Sequence, residues 1–313
     1  MVINSRLRPR PERADPVSLG ANRGRSFLGW KIYGQGFVLT PDERKDLIGK
    51  NAKNKLIFPY LGGEEVNTSP TQSHHRYVIN FGAMSLDEAK AWPDLLSIVR
   101  RKVKPERAKL RRAALVEKWW QYGEKQPALA KALAPLSRCL VTSRVSKYLM
   151  FTFQPTNRIF SDQLYVFPLE TSTAFAVLQS RIHEPWARLL SSSLEDRLRY
   201  AASDCFDTFP FPQVDPRSPV PELERVGTSL YEARAAYMKA TNQGLTQTYN
   251  RLKDPGCEEP AIVELRRLHE QLDAAVLAAY GWQDIEVPRF EADVPDFQDE
   301  IVDRLFVLNA ERS

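Results

Sequence analysis

Between Cys139 and Leu169 the chain carries three short apolar runs, CLVTSR, YLMFTF and QLYVFPL, separated by turn-forming residues. Runs this short, rich in aromatic and β-branched residues, read as strands, and strands so close in sequence pair antiparallel. The periodicity then changes. Ser172 to Leu190 sets Phe175, Leu178, Ile182, Trp186 and Leu190 at amphipathic spacing, which predicts one helix. After the proline-rich VDPRSPVPE come three further helical patterns: Leu223 to Lys239, Pro260 to Tyr280 with Gly281 as a stop, and Phe297 to Leu308. The class that follows is α+β, a mixed helix and antiparallel-sheet domain followed by a small helical C-terminal domain. We expect an extended lead-in or linker over residues 1–26, the mixed domain over 27–214 and the helical one over 215–313.

Local signals in the first third agree with that class. Thr40-Pro41-Asp42-Glu43 starts a short helix, because a capping hydroxyl, a proline at the first helical position and a back-reaching Glu coincide. Ser85 and Glu88 repeat the capping pattern ahead of a helix that restarts near Pro93. The alternation from Arg76 to Phe81 predicts a half-buried strand, and Gly62-Gly63 a turn. KIYGQGFVL, from Lys31, reads as a strand or hairpin with close backbone approach at its glycines; no third glycine or following helix supports a dinucleotide loop.

At 313 residues and 43% hydrophobic, the chain can bury a sizeable core. Cys139, Cys205 and Cys257 lie far apart without paired spacing, which argues against a zinc site or a disulfide framework and for a cytoplasmic location. No apolar run is long enough to span a bilayer, so no membrane partner is expected. The patterns of catalysis are missing too. There is no nucleophile elbow, phosphate loop or His-Glu-x-x-His pair. His74 and His75 are adjacent, so a strand would point them apart, and His183 falls on the apolar face of a helix as a packed residue would. Pro41-Asp42, Pro93-Asp94 and Pro295-Asp296 read as turn and helix starts rather than nuclease motifs.

Two charged segments remain. From Arg100 to Arg112, RRKVKPERAKLRR, eight of thirteen residues are basic and one is acidic, a greater net positive charge than the +5 of the whole chain. Arg100, Lys104, Arg107 and Arg111 recur at helical spacing, with Arg101 beside them, as a helix lying on a phosphate backbone requires. Pro105 can kink or restart that helix. The second segment, SSSLEDRLRYAASDCFDTFPFP from Ser191, places Glu195, Asp196, Arg197 and Arg199 beside an anchor of Tyr200, Phe206, Phe209 and Phe211. Arginine forks onto guanine, and a carboxylate accepts from cytosine. Spacing of i, i+2 puts Glu195, Arg197 and Arg199 on one face if the segment is extended. Each segment, taken alone, also reads as a solvated surface.

Several blocks together resemble the target-recognition region and C-terminal part of MmeI-like restriction-modification enzymes, the fused adenine methyltransferase-endonucleases. They are NRGRSFLGWKIYGQGFVLTPDE from Asn22, IFPYLGGEEVN from Ile57, RYVINF from Arg76, VRRKVKPER from Val99, EKWWQY from Glu117, RVSK from Arg144 and the segment from Ser191. LDAAVLAAYGW from Leu272 resembles the family's helical end. The resemblance implies sequence-specific recognition of double-stranded DNA, with base readout by Glu195, Arg197 and Arg199. Orientation on phosphates would fall to Arg100, Arg101, Lys104, Arg107 and Arg111. Full-length members also carry a nuclease domain and a methyltransferase with an Asn-Pro-Pro-Tyr signature, and this chain has no Asn-Pro dipeptide. We therefore expect no catalysis and no cofactor here, S-adenosylmethionine belonging to a separate methyltransferase domain or to a separately encoded methyltransferase or nuclease subunit. Two alternatives stay open: an endonuclease with a degenerate metal site, and a non-catalytic protein-interaction subunit.

Overall fold

A computed structural model describes residues 15–52, 54–194 and 197–313, with Ser192–Leu194 described by backbone alone. The strands are β1 (Phe27–Leu28), β2 (Val38–Leu39), β3 (Ile57–Leu61), β4 (Arg76–Ile79), β5 (Arg138–Ser143), β6 (Val145–Ser146), β7 (Phe151–Pro155), β8 (Ile159–Phe160), β9 (Leu164–Phe167), β10 (Ser192–Leu194) and β11 (Arg197–Arg199). The first helices are α1 (Pro41–Lys50), α2 (Gly63–Thr68), α3 (Leu86–Ala89), α4 (Pro93–Lys102), α5 (Lys104–Arg107), α6 (Ala113–Glu117) and α7 (Pro127–Leu133). They are followed by α8 (Ser172–Gln179), α9 (His183–Leu190), α10 (Ala202–Cys205), α11 (Pro221–Thr241), α12 (Leu245–Leu252), α13 (Pro260–Tyr280) and α14 (Pro295–Glu311). The fold is α+β.

The three apolar runs become β5, β7 and β9, with β5 central and antiparallel to both neighbours in the order β1-β9-β5-β7. Strand β5 is buried from Cys139 to Ser143, which explains why its sequence is apolar or small throughout rather than alternating. A second sheet, β2-β4-β3-β8, is mixed: β4 is antiparallel to β2 and β3, while β8 joins β3 in parallel. The third, β10-β11-β6, carries the segment of interest.

Both predicted capping boxes form. The Thr40 side chain accepts from Glu43 N at 3.2 Å while Glu43 Oε2 accepts from Thr40 N at 2.9 Å, and Ser85 and Glu88 repeat the exchange. Gly281 ends α13 at φ 76°. Other expectations need correcting. Ser172 to Leu190 is two helices, because Arg181 N donates to Asp273 Oδ1 at 2.8 Å and Ser180 Oγ donates to Val177 O at 2.7 Å, which diverts the local backbone from helical pairing. The basic run is no continuous helix: α4 ends at Lys102, α5 is one turn restarted at Pro105, and residues 108–112 are irregular.

Of the lead-in, residues 1–14 lie outside the described set, and 15–26 are fastened to the body. Asn22 is buried and donates to Phe206 O and Phe209 O, both at 2.8 Å, while Asn309 on α14 donates to Val17 O and Thr208 O. The C-terminal helices share one continuous core with the sheets. Buried Arg234 on α11 donates to Phe151 O at 2.7 Å and to Gln179 Oε1 at 3.1 Å, and Arg181 Nε meets buried Asp273 on α13 at 2.6 Å.

Candidate nucleic-acid interface

Strand β11 is held on both edges, by β10 with Ser192 opposite Arg199 and by β6 with Leu198 opposite Ser146. Its side chains alternate. Arg197 and Arg199 are exposed, whereas Leu198 and Tyr200 are 4% and 1% exposed. The segment is therefore extended, and the two arginines share a face. Glu195 and Asp196 lie outside the described residues. Below the strand, the Tyr200 ring packs against Phe151, Tyr165 and Phe167, and its hydroxyl lies 3.1 Å from His183 Nε2. Phe206, Phe209 and Phe211 are buried around the same base. Burial alone pulls the His183 imidazole down to about 3, and burial pushes the Cys205 thiol up to about 11, so neither carries charge at neutral pH.

Arg199 lines an open cleft of about 570 Å³ together with Gly63, Asn67, Arg144, Asp162 and Gln163. The cleft wall is built by backbone: Arg144 N donates to Gln163 O at 2.8 Å, and Gly63 N, at the start of α2, donates to Gln163 Oε1 at 3.3 Å. Asp162 and Gln163 also line an adjoining cleft of about 280 Å³, which continues to Lys31, Tyr33, Gln35 and Arg76. Arg144, Asp162 and Gln163 escaped the sequence reading as site residues, although Arg144 stood in the RVSK block. The Asp162-Gln163 signal is a polar pair where the turn meets the third strand run. The polar pair Asn157-Arg158, in the preceding turn, lines a separate cleft of about 600 Å³, with Arg158 donating to Gln154 Oε1.

In the basic run, Arg100, Arg101, Lys104 and Arg111 are exposed, with no ion-pair partner among the described residues. Arg100 and Lys104 lie over the Trp119 ring at 5.8 and 5.6 Å from its centroid. Arg107 is different and corrects the expectation. It is 1% exposed, and its guanidinium donates to Ile32 O at 2.7 Å, Tyr33 O at 3.0 Å, Lys118 O at 3.2 Å and Gln121 O at 2.7 Å. Buried, and with four of its five N–H groups committed to carbonyls, this guanidinium is closed to a phosphate. Burial pulls it down to about 10, still cationic at neutral pH. Arg107 thus rivets the basic lobe to the loop beginning at Lys31, which lines the smaller cleft.

His74 and His75 do not converge: His74 sits edge-on to Tyr77, while His75 Nδ1 is 3.4 Å from Glu65 Oε1. Among the described residues no cluster of three or more His, Cys, Asp or Glu side chains gathers as metal ligands would, and no helix is long and apolar enough to cross a membrane.

An α+β body that presents cationic side chains along a strand, over an open polar cleft and beside a basic lobe, is the architecture of a recognition module. Residues 25–213 match the family described as MmeI, target recognition domain, and the chain belongs to that family. Over 148 residues it is 28% identical to DNA methyltransferase A of Bacillus subtilis (strain 168), which covers 47% of this chain and 15% of the relative. It resembles the solved type IIL restriction-modification enzyme MmeI in complex with DNA at TM-score 0.69 and 22% identity, over 99% of this chain and 38% of that one. The chain spans well under half the length of either.

Proposed function

We propose that this protein is a sequence-specific double-stranded DNA recognition module of a restriction-modification system of the adenine methyltransferase kind, without catalysis of its own. Residues 27–214 read DNA and 215–313 form the helical part that buttresses them. A methyltransferase or nuclease partner, on a separate domain or a separately encoded subunit, would hold S-adenosylmethionine and do the chemistry. The observation that carries this reading is the pair Arg197 and Arg199, exposed on one face of a strand whose intervening and following residues are buried. A row of forked donors on rigid backbone suits base edges in a major groove, where an arginine takes guanine O6 and N7. Arg144, Asp162 and Gln163 stand beside that row, and Arg100, Arg101, Lys104 and Arg111 supply the sequence-independent attraction.

The test is a binding selection from a randomised duplex pool with the wild type, Arg197→Ala and Glu195→Lys. The variants should change the preferred base at one position each, with about 1 to 3 kcal/mol of lost discrimination, and leave non-specific affinity nearly constant. If both variants recover the wild-type motif with equal information at every position, this segment does not read DNA.

A further inference from the structure

In the loop from Lys31 to Gly36 only Gln35 is exposed, and the backbone around it is fixed from several sides. Tyr33 sits at φ 47°, a left-handed conformation that a bulky residue adopts only when its surroundings impose it. Its carbonyl and that of Ile32 are held by buried Arg107, and Lys31 O accepts from Glu124 N at 3.1 Å. Gly34, at φ 144°, and Gly36 lay the loop flush on the basic lobe: a Cβ at Gly36 would stand 2.5 Å from Lys102 Cβ and 2.8 Å from Val103 Cγ2. Between these glycines, Gln35 is exposed and its carboxamide has no hydrogen-bond partner among the described residues. It lines the 280 Å³ cleft, which shares Asp162 and Gln163 with the cleft that Arg199 lines.

Resting on the proposed recognition of DNA, we propose that Gln35 is a second specificity-determining residue, selecting adenine in the same groove that Arg197 and Arg199 face. A free carboxamide has the donor and the acceptor needed to pair with adenine N7 and N6–H together, and no other base edge in the major groove offers that pattern to it. A neutral amide gains little from a phosphate compared with the lysines and arginines nearby, so a contact to the backbone would be a poor use of the position. Because the loop's backbone is already ordered, binding need only fix the side chain of Gln35.

The experiment repeats the duplex selection with Gln35→Ala and Gln35→Glu. Gln35 is exposed, so both variants should melt with the wild type. Gln35→Ala should lose preference for adenine at one position by about 5- to 150-fold and leave the positions altered by Arg197→Ala untouched. Gln35→Glu, now only an acceptor, should turn that adenine toward cytosine. If the wild type yields a motif and both Gln35 variants yield the same one, this proposal fails while the recognition function stands. A uniform loss of affinity with an unchanged motif also overturns it, since that is the mark of a phosphate contact. A wild type that selects no motif overturns both.

Discussion

Replacing Arg107 by alanine removes one guanidinium and strands four carbonyls, those of Ile32, Tyr33, Lys118 and Gln121, now served at 2.7 to 3.2 Å. A hydrogen bond to a charged group is worth about 1.5 to 3 kcal/mol, but four on one side chain do not add, and water entering the vacated space recovers part of the loss. The partners are neutral carbonyls, so no charge is stranded; each buried acceptor left unpaired costs about 1 to 3 kcal/mol before that recovery, and a net loss of about 3 kcal/mol is already a large fraction of a folding free energy of about 5 to 15 kcal/mol. Arg107→Lys keeps the charge but not the planar fork, so it should fall between alanine and wild type. Exposed Arg101→Ala should stay within about 0.5 kcal/mol of wild type. Urea unfolding followed by far-UV circular dichroism measures all three, and salt titration of DNA binding, at a temperature where each remains folded, completes the comparison. The rivet predicts a large loss of stability with an unchanged salt slope for Arg107→Ala, and the reverse for Arg101→Ala. If Arg107→Ala unfolds with the wild type and lowers the salt slope by about one, its guanidinium reaches a phosphate and the assignment is wrong.

Alanine at Arg100, Arg101, Lys104 and Arg111 together should weaken binding to all duplexes alike and lower the slope of log affinity against log salt by about one per lost contact; an unchanged slope means the lobe faces solvent or protein. The buried imidazole of His183 makes stability depend on pH. Its folded value, about 3, is below the usual 6.5, so as pH falls below 6.5 the unfolded chain takes up a proton that the native state refuses, and stability drops. Between pH 7 and pH 5 that one group should account for about 2 kcal/mol. Compared by urea unfolding at the two pH values, His183→Phe should lose that much less than the wild type, and an identical loss in both would rule the group out.

What was legible beforehand was local. The capping boxes at Thr40 and Ser85 and the stop at Gly281 each involve partners within a few residues, so composition at fixed offsets is enough to place them. The strands β5, β7 and β9 were legible because their pairing is between near neighbours. The break between α8 and α9 was not, since the carboxylate that causes it, Asp273, is 92 residues away. The Leu245–Leu252 stretch that forms α12 lies outside the three predicted helical patterns, and the Gly62-Gly63 pair that reads as a turn is where α2 begins. Among the site residues, periodicity could say that Arg107 shares a helical face with Arg100 and Lys104. It could not say that this face would meet carbonyls from Ile32 and Tyr33, more than seventy positions upstream. The spacing of Arg197 and Arg199 carried the right geometry once the segment proved to be a strand.

That strand has a consequence for how such a protein changes over generations. On β11 the buried Leu198 and the following Tyr200 are the residues the core depends on, and the exposed Arg197 and Arg199 are spared by it. Substitution at an exposed position away from caps and buried networks typically shifts stability by no more than about 0.5 kcal/mol, whereas truncating a buried Leu or Tyr costs several. If Arg197 and Arg199 read DNA as proposed, folding and reading draw on alternate positions of one short strand. A lineage can drift through many pairs of residues at 197 and 199 without first acquiring a stabilising change elsewhere, and each step remains a folded protein open to selection on what it binds.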